Sequence, residues 1–311
     1  MTGFAEHFER IHNNIELAVK GKSEVVGLLI LALACGGHVL IEDVPGVGKT
    51  TLGKALARSV DVSFGRIQFT PDLLPVDITG TSVFNRTDAT FEFRPGPIFS
   101  NIVLADEINR ASPKAQSALL EAMGEQQVTL EGVTRPLQAP FTVIATQNPL
   151  EYEGTYPLPE SQLDRFLMRL LVGYPDRAAE DSILADRGSQ EPVEQIGPVA
   201  DAAVVNAMSA QLEQVHVSAA LRSYLLDVAA ATRRHRGLSL GLSPRGVLAV
   251  LKTARARAAS LGRPYVAPDD IKALAPSLLT HRLLPARGGA TRTDDIVAEI
   301  LDSVPVPRRN D

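Results

Sequence analysis

The stretch "HVLIEDVPGVGKT", His38 to Thr50, runs from a short apolar strand pattern into a glycine loop, and "TLGKALARSV" continues it with helical spacing. A strand, a tight loop and a helix opening on Lys-Thr are what a polyphosphate requires, because backbone N–H groups and a helix N-terminus then converge on one point. The consensus for such loops is G-x-x-x-x-G-K-[ST], and Asp43 stands where its first glycine belongs. That position lies at the strand exit, before the loop wraps, so an aspartate there costs no phosphate contact. The residues expected to hold the nucleotide are Asp43, Val44, Pro45, Gly46, Val47, Gly48, Lys49, Thr50 and Thr51. Gly46 and Gly48 allow the tight wrap, Lys49 reaches the β- and γ-phosphates, and Thr50 offers a hydroxyl to Mg²⁺. An ordinary glycine turn is the competing reading, and the strand before with the helix after disfavours it.

Two further hydrophobic strands bear on the same chemistry. "NIVLADE" (Asn101 to Glu107) ends in paired acids, and "FTVIATQN" (Phe141 to Asn148) ends in an amide before Pro149. Adjacent residues of a strand point to opposite sides, so the acids can divide their work. Asp106 would enter the Mg²⁺ shell, through Thr50 or water, and Glu107 would polarise an attacking water. Asn148 would orient that water without adding charge. Two solvated acids at a helix cap, and an Asx turn before Pro149, are the plain alternatives. Ser112 and Pro113 read as N-cap and first residue of the next helix. Strands alternating with helices indicate a parallel α/β sheet whose ligands bind at the carboxyl ends of the strands.

A chain of 311 residues is long enough for two domains. The α/β core, with its N-terminal helices, is expected in residues 1–175 and a helical domain in 176–311. "RGSQEPVEQIGPVAD" (Arg187 to Asp201) reads as a linker, followed by helices over 202–214, 219–235, 244–261 and 268–279 with no further strand pattern. Near the N-terminus, helical spacing of Phe4, Phe8, Ile11, Ile15 and Ala18 precedes a buried helix over "VVGLLILALA" (Val25 to Ala34), with Ser23 as its N-cap and Gly36-Gly37 as its end. That apolar run is too short to span a bilayer, and "MTGFAEHFER" lacks the apolar core of a signal peptide. The single cysteine, Cys35, fits a core position in a reducing compartment. A cytoplasmic protein is expected. A net charge of −5 argues against a basic nucleic-acid face.

The order of a phosphate loop, a hydrophobic strand ending Asp-Glu, a polar strand tip and a helical domain resembles the AAA+ ATPases. The resemblance is closest to the MoxR family, through "GGHVLIEDVPGVGKTTLGKALA", "RIQFTPDLLPVDITG", "FRPGPIF", "LADEINRASPKAQSALLEAM", "ATQNPLEYEGTYPLPESQLDRF" and "LSPRG". "EDVPGVGKT", aspartate included, looks like a common form of that family's loop. The resemblance implies an α/β P-loop NTPase core, a parallel sheet flanked by helices, followed by an all-α lid. It makes Lys49 and Thr50 the Walker A pair, Asp106 and Glu107 the Walker B pair, and Asn148 sensor 1. Arg165 of "LDRF" becomes the arginine finger and Arg245 of "LSPRG" sensor 2. From the residues themselves, Arg165 and Arg169 are four apart and would share a helix face, and only the resemblance prefers Arg165. For Arg245, Ser243 as N-cap and Pro244 as first helical residue put the arginine in the first turn.

The family further implies ATP and Mg²⁺ as cofactors and a homo-oligomeric ring, usually a hexamer. It implies chaperone-like remodelling or maturation of a protein client, often with a partner carrying a von Willebrand A domain. These 311 residues contain no such domain, so that partner would be a separate chain. "FEFRPGPIF" (Phe91 to Phe99) resembles the family's insertion hairpin, and "EGVTRP" (Glu131 to Pro136) looks like the tip of a second one. Competing functions are a nucleic-acid translocase, which the acidic balance disfavours, a chelatase-type motor subunit, and a nucleotide-gated scaffold without hydrolysis, against which the Asp106-Glu107 pair argues.

Overall fold

The computed structural model describes residues 2–44, 46–149, 154–185, 191–286 and 291–307. The chain opens with helices α1 (Thr2–Ala18) and α2 (Ser23–Ala34), then runs β1 (Val39–Glu42), α3 (Lys49–Ser59) and β2 (Phe64–Gln68). A short helix α4 (Pro75–Thr79) leads into the hairpin β3 (Gly80–Asn85) and β4 (Thr90–Pro95), then β5 (Ile102–Asp106) and α5 (Pro113–Glu125). A second hairpin, β6 (Gln127–Leu130) and β7 (Val133–Pro136), precedes β8 (Thr142–Gln147), α6 (Glu160–Leu163), β9 (Met168–Leu170) and α7 (Arg177–Ala185). Beyond these lie α8 (Ala202–Gln211), α9 (Ala219–Arg234), β10 (Leu238–Leu240), α10 (Pro244–Ser260), α11 (Pro268–Leu279), β11 (Leu284–Pro285) and α12 (Thr293–Ser303).

Five strands form one sheet in the order β2-β5-β8-β1-β9. The β2–β5, β5–β8 and β8–β1 pairs are parallel, with Gln68 opposite Asp106 and Glu42 opposite Gln147. Val39 to Ile41, Ile102 to Ala105 and Thr142 to Thr146 are buried throughout, as strands covered on both faces must be. Parallel alignment brings the carboxyl ends of these strands to one edge, where Asp106 and Asn148 stand. Three of the five strands were legible as apolar runs. β2 escapes that reading because Arg66 and Gln68 interrupt it, and β9 because it is only three residues long.

Contacts divide the chain into two compact units, Arg10–Leu158 with Leu170–Asn206, and Met1–Glu9 with Pro159–Arg169 and Ala207–Asp311. The second is mainly helical among the described residues but includes an antiparallel pairing of β10 with β11, a departure from the all-helix expectation in strands too short to show a period of two. The described part of the expected linker is docked rather than free. Val199 and Ala200 N–H groups donate to Ser59 O at 2.9 and 3.1 Å, and Arg58 Nη2 donates to Glu194 O at 3.1 Å. Ser112 and Ser243 cap α5 and α10 as expected, each with proline following. Ser23 does not cap α2: Lys22 occupies that position without a side-chain cap. Gly36, at φ +58°, ends α2 as expected.

Buried Arg282 organises the second unit. It ion-pairs with Asp164 at 2.9 Å and donates to the carbonyls of Leu167 (2.9 Å), Phe166 (2.5 Å) and Leu278. Arg282→Met would take the guanidinium from the Leu167 and Leu278 carbonyls, leave Phe166 O with His281 Nε2 alone, and leave Asp164 without its cation. Losing one partner of a buried, hydrogen-bonded pair costs about 3–5 kcal/mol, so urea unfolding should show a loss of that order.

Candidate active site

The loop between β1 and α3 owes its shape to backbone conformation. Gly46 and Gly48 sit at φ +86° and +88°, a region that favours glycine, although a Cβ would meet no atom at either. Gly48 is the N-cap of α3, so the first-turn N–H groups of that helix open into the loop. Lys49 Nζ donates to Asp43 O at 2.9 Å. Pro45 lies outside the described residues.

A cavity of about 370 Å³ is lined by Gly46, Gly48, Lys49, Thr50, Thr51, Arg66, Asp106, Glu107 and Asn148. The structure therefore gathers most of the expected nucleotide residues with both acids and the amide in one place. Asp43, Val44 and Val47 do not line it. A larger cleft of about 520 Å³, between α3 and residues 191–198, contains none of the expected site residues.

The acids are separated by a different device from the one expected. β5 ends at Asp106, and Glu107 lies beyond it at φ +57°, ψ +49°. Strand alternation does not aim Glu107; a left-handed turn does. Such a conformation costs a non-glycine residue about 1–3 kcal/mol and persists only where its surroundings hold it. Thr146 does so. Its hydroxyl donates to Asp106 Oδ1 at 2.6 Å and accepts the Glu107 N–H at 2.9 Å. Gln68 Nε2 and Arg110 Nη1 then both donate to Glu107 Oε2, at 2.9 and 3.0 Å. Arg66 Nη2 donates to Asp106 Oδ2 at 2.8 Å and to Gln68 Oε1 at 3.0 Å.

Arg66, Gln68, Arg110 and Thr146 were not foreseen. The signal available for two of them was "RIQ": two long polar side chains at alternate positions flanking an apolar residue, which on a strand face the same way. Nothing local marks Thr146, whose bonds cross to the neighbouring strand.

Arg165 and Arg245 belong to the other compact unit. The helix that would have put Arg165 and Arg169 on one face ends at Leu163; Arg165 lies in a turn and Arg169 in β9. Asp164, drawn to Arg282 and to Ser243 Oγ (3.1 Å), and the Phe166 and Leu167 carbonyls, bonded to Arg282, take the chain out of helix. Arg169 pairs with Asp294 at 3.8 Å. Arg245 sits in the first turn of α10 as expected, and Ser243, the cap of that helix, is the residue that reaches Asp164.

The second expected hairpin forms as read, whereas the first lies earlier than expected: Gly80–Asn85 pairs with Thr90–Pro95, so Phe91–Pro95 is in one strand only and Pro97–Phe99 is a 3-10 turn beyond it. In the first, Phe91 is 73% exposed and stacks on Phe84 with ring centroids 5.2 Å apart. Phe93 packs on Phe99, and the Arg135 guanidinium lies 3.9 Å from the centre of its ring. The second hairpin turns at Glu131-Gly132, both left-handed, as two-residue hairpin turns require.

The family model of the ATPase family associated with various cellular activities (AAA) matches residues 38–168, and that of the AAA lid domain matches 230–300. This is an AAA-type ATPase, a nucleotide-binding enzyme that hydrolyses ATP. The chain is 48% identical to the uncharacterised protein YeaC of Bacillus subtilis, over 97% of this chain and 93% of the relative. It is 39% identical to Chaperone MoxR1 of Mycobacterium tuberculosis, over 97% of this chain and 83% of the relative. The crystal structure of a candidate ATPase from Cytophaga hutchinsonii superposes with a TM-score of 0.91 at 36% identity, over 98% of this chain and 96% of that one. The chain belongs to the MoxR family of AAA+ ATPases.

His281, beside Arg282, donates from Nε2 to Phe166 O (3.0 Å), while its buried Nδ1 has no partner among the described residues. Burial pushes its pKa well below the ordinary value; the charges of Arg282 and Arg169 push the same way, against the hydrogen bond to Phe166. The unfolded chain therefore takes up a proton near pH 6.5 and the folded chain only at lower pH. Stability should fall as the pH drops below about 6.5, with a slope approaching about 1.4 kcal/mol per pH unit. In urea unfolding at pH 7 and pH 5, His281→Gln should lose less stability on acidification than the wild type.

Proposed function

We propose that this ATPase is Mg²⁺-dependent, works in the cytoplasm as a head-to-tail ring, a hexamer, and remodels or matures a protein client beside a separate partner carrying a von Willebrand A domain. The observation that carries the hydrolytic part is the single cavity lined by Lys49, Thr50, Asp106, Glu107 and Asn148. The name of the 39% identical relative, Chaperone MoxR1, supports the protein client. The exposed Phe84–Phe91 pair offers an apolar contact for one. No helix among the described residues is long and apolar enough to cross a membrane.

Thr50 and Asp106 fit Mg²⁺, because a hydroxyl and a carboxylate on one cavity are hard oxygen donors, and the ion uses one or two of these beside phosphate oxygens. When bound, it would neutralise charge on the β- and γ-phosphate oxygens. The chain's own residues do the rest. Gly46 and Gly48 shape the loop around the phosphates, and Lys49 and the first-turn N–H groups of α3 hold their charge. Glu107, oriented through Oε2 by Gln68 and Arg110, polarises the attacking water, and Asn148 fixes that water's direction. Arg165 serves as a finger to the adjoining subunit's nucleotide, and Arg245 as a phosphate-sensing cation.

Glu107→Gln should bind ATP normally and hydrolyse it about 10²–10⁴-fold more slowly, since the amide keeps the shape and loses the charge that polarises water. Phosphate release and nucleotide titration on one preparation check this; near-wild-type turnover would remove Glu107 from the role.

Mixing variants tests the ring. Arg165→Ala should bind ATP and hydrolyse it about 10³–10⁵-fold more slowly, and Lys49→Ala should lose binding and hydrolysis together. Equal mixtures that exchange subunits would pair an intact Lys49 with an intact Arg165 at about one interface in four. Activity should rise toward that share. Exchange without rescue would show that Arg165 does not act across an interface.

A further inference from the structure

The aspartate that replaces the consensus glycine contacts protein, not the cavity. Asp43 Oδ1 accepts the Val44 N–H at 2.8 Å, and Asp43 Oδ2 accepts the Gly173 N–H at 2.5 Å. Its backbone is engaged as well: the N–H donates to Gln147 O at 3.2 Å, and the carbonyl accepts Lys49 Nζ at 2.9 Å. One residue thus joins β8, the phosphate-loop lysine and the segment that follows β9.

That segment is held from a second side. Buried Lys22 donates from Nζ to both Val172 O and Tyr174 O, each at 2.7 Å. Within one tripeptide, an ammonium takes the outer carbonyls and a carboxylate takes the central amide. Gly173 is at φ +65° and the tripeptide lies outside strand and helix, so its central amide is met by Asp43 and its outer carbonyls by Lys22. Hydrogen bonds with one charged partner are about twice as strong as neutral ones. Glycine at position 43 could make neither side-chain bond.

We infer that Asp43 is a positioning residue, paired through Val172–Tyr174 with Lys22, which fixes the phosphate-binding loop and makes nucleotide affinity depend on that segment. Lys22 does not line the cavity, yet it bears on it through the tripeptide and Asp43. The coupling rests on the nucleotide reading of the loop given above; the clamp itself does not.

Asp43→Gly, which restores the loop consensus, Asp43→Asn, Lys22→Met and the double variant Asp43→Gly/Lys22→Met test it in the full chain. Amide hydrogen exchange without nucleotide reads the clamp. In Asp43→Gly, Gly173 should exchange about 10- to 100-fold faster, the loss of one hydrogen bond to a charged group. Titration with a fluorescent ADP analogue, well below the melting transition, reads the coupling. Asp43→Gly and Lys22→Met should each bind about tenfold more weakly. Asp43→Asn should fall between wild type and Asp43→Gly, because its amide oxygen can still accept one N–H. The double variant should lose less than the product of the single losses, since both act through one segment.

Unchanged exchange at Gly173 in Asp43→Gly overturns the clamp. A lowered melting temperature with wild-type affinity in Asp43→Gly and Lys22→Met, while Lys49→Ala abolishes binding, overturns the positioning role and leaves the nucleotide site intact. A wild type that binds no analogue overturns the nucleotide reading and the coupling with it, and Gly173 exchange then still judges the clamp.

Discussion

Thr146 Oγ1 donates to Asp106 and accepts from the Glu107 N–H, and Thr146 is fully buried in a strand bonded on both sides. A hydroxyl so placed cannot drift, and both acids take their position from it. The Glu107 conformation depends on this bond, because a left-handed glutamate needs its N–H satisfied to offset the backbone cost. The parallel register of β5 with β8 comes first in the causal order, since it brings Thr146 within reach of the end of β5. Sheet pairing, one hydroxyl, one unusual backbone angle and the aim of one carboxylate form a single chain of dependence.

Charge in the cavity is nearly balanced by protein groups: Lys49 and Arg66 against Asp106 and Glu107. The pairs are unequal in firmness. The Arg66 side chain is 50% exposed where it meets Asp106, which puts that ion pair in the class worth about 0–1 kcal/mol. The Thr146–Asp106 bond is short and internal. Weak pairing on one carboxylate oxygen and firm pairing on the other leaves Asp106 fixed in place yet able to exchange its cation, which suits the metal-holding role proposed for it.

How far the sequence disclosed this depends on how local each determinant is. The loop glycines, the Lys-Thr helix start, the Asp-Glu strand end and the Ser-Pro caps of α5 and α10 each depend on residues within a few positions. All were legible. Thr146, Gln68 and Arg66 act across strand neighbours some 40 positions away in the chain, and no local spacing encodes that. The mistaken helix through Arg165 and Arg169 has the same origin. Four-residue spacing fits a helix, but Asp164, Phe166 and Leu167 are claimed by Arg282, more than a hundred positions later. The docked segment at 191–200 misled through composition: its glycines, prolines and charges suit a linker, while its backbone finds partners on α3.

Each compact unit uses buried charge in the same way. In one, Arg282 gathers the carbonyls of Phe166 and Leu167; in the other, Lys22 gathers those of Val172 and Tyr174. Short irregular segments on either side of β9 have backbone groups that no ladder satisfies, and leaving such groups buried costs about 1–3 kcal/mol apiece. A lysine or arginine has several donors on a long stem, so one side chain can satisfy two or three carbonyls at once. The arrangement concentrates the stability of a segment in a single cation. A surface ion pair at the same position would be worth little, and its loss would be tolerated; loss of Arg282 or Lys22 removes a donor from every carbonyl it serves. Asp43 adds the complementary half in the nucleotide-binding unit, an anion for the one amide that a cation cannot satisfy. A loop position that departs from the phosphate-binding consensus is thereby explained by backbone hydrogen bonding rather than by contact with phosphate.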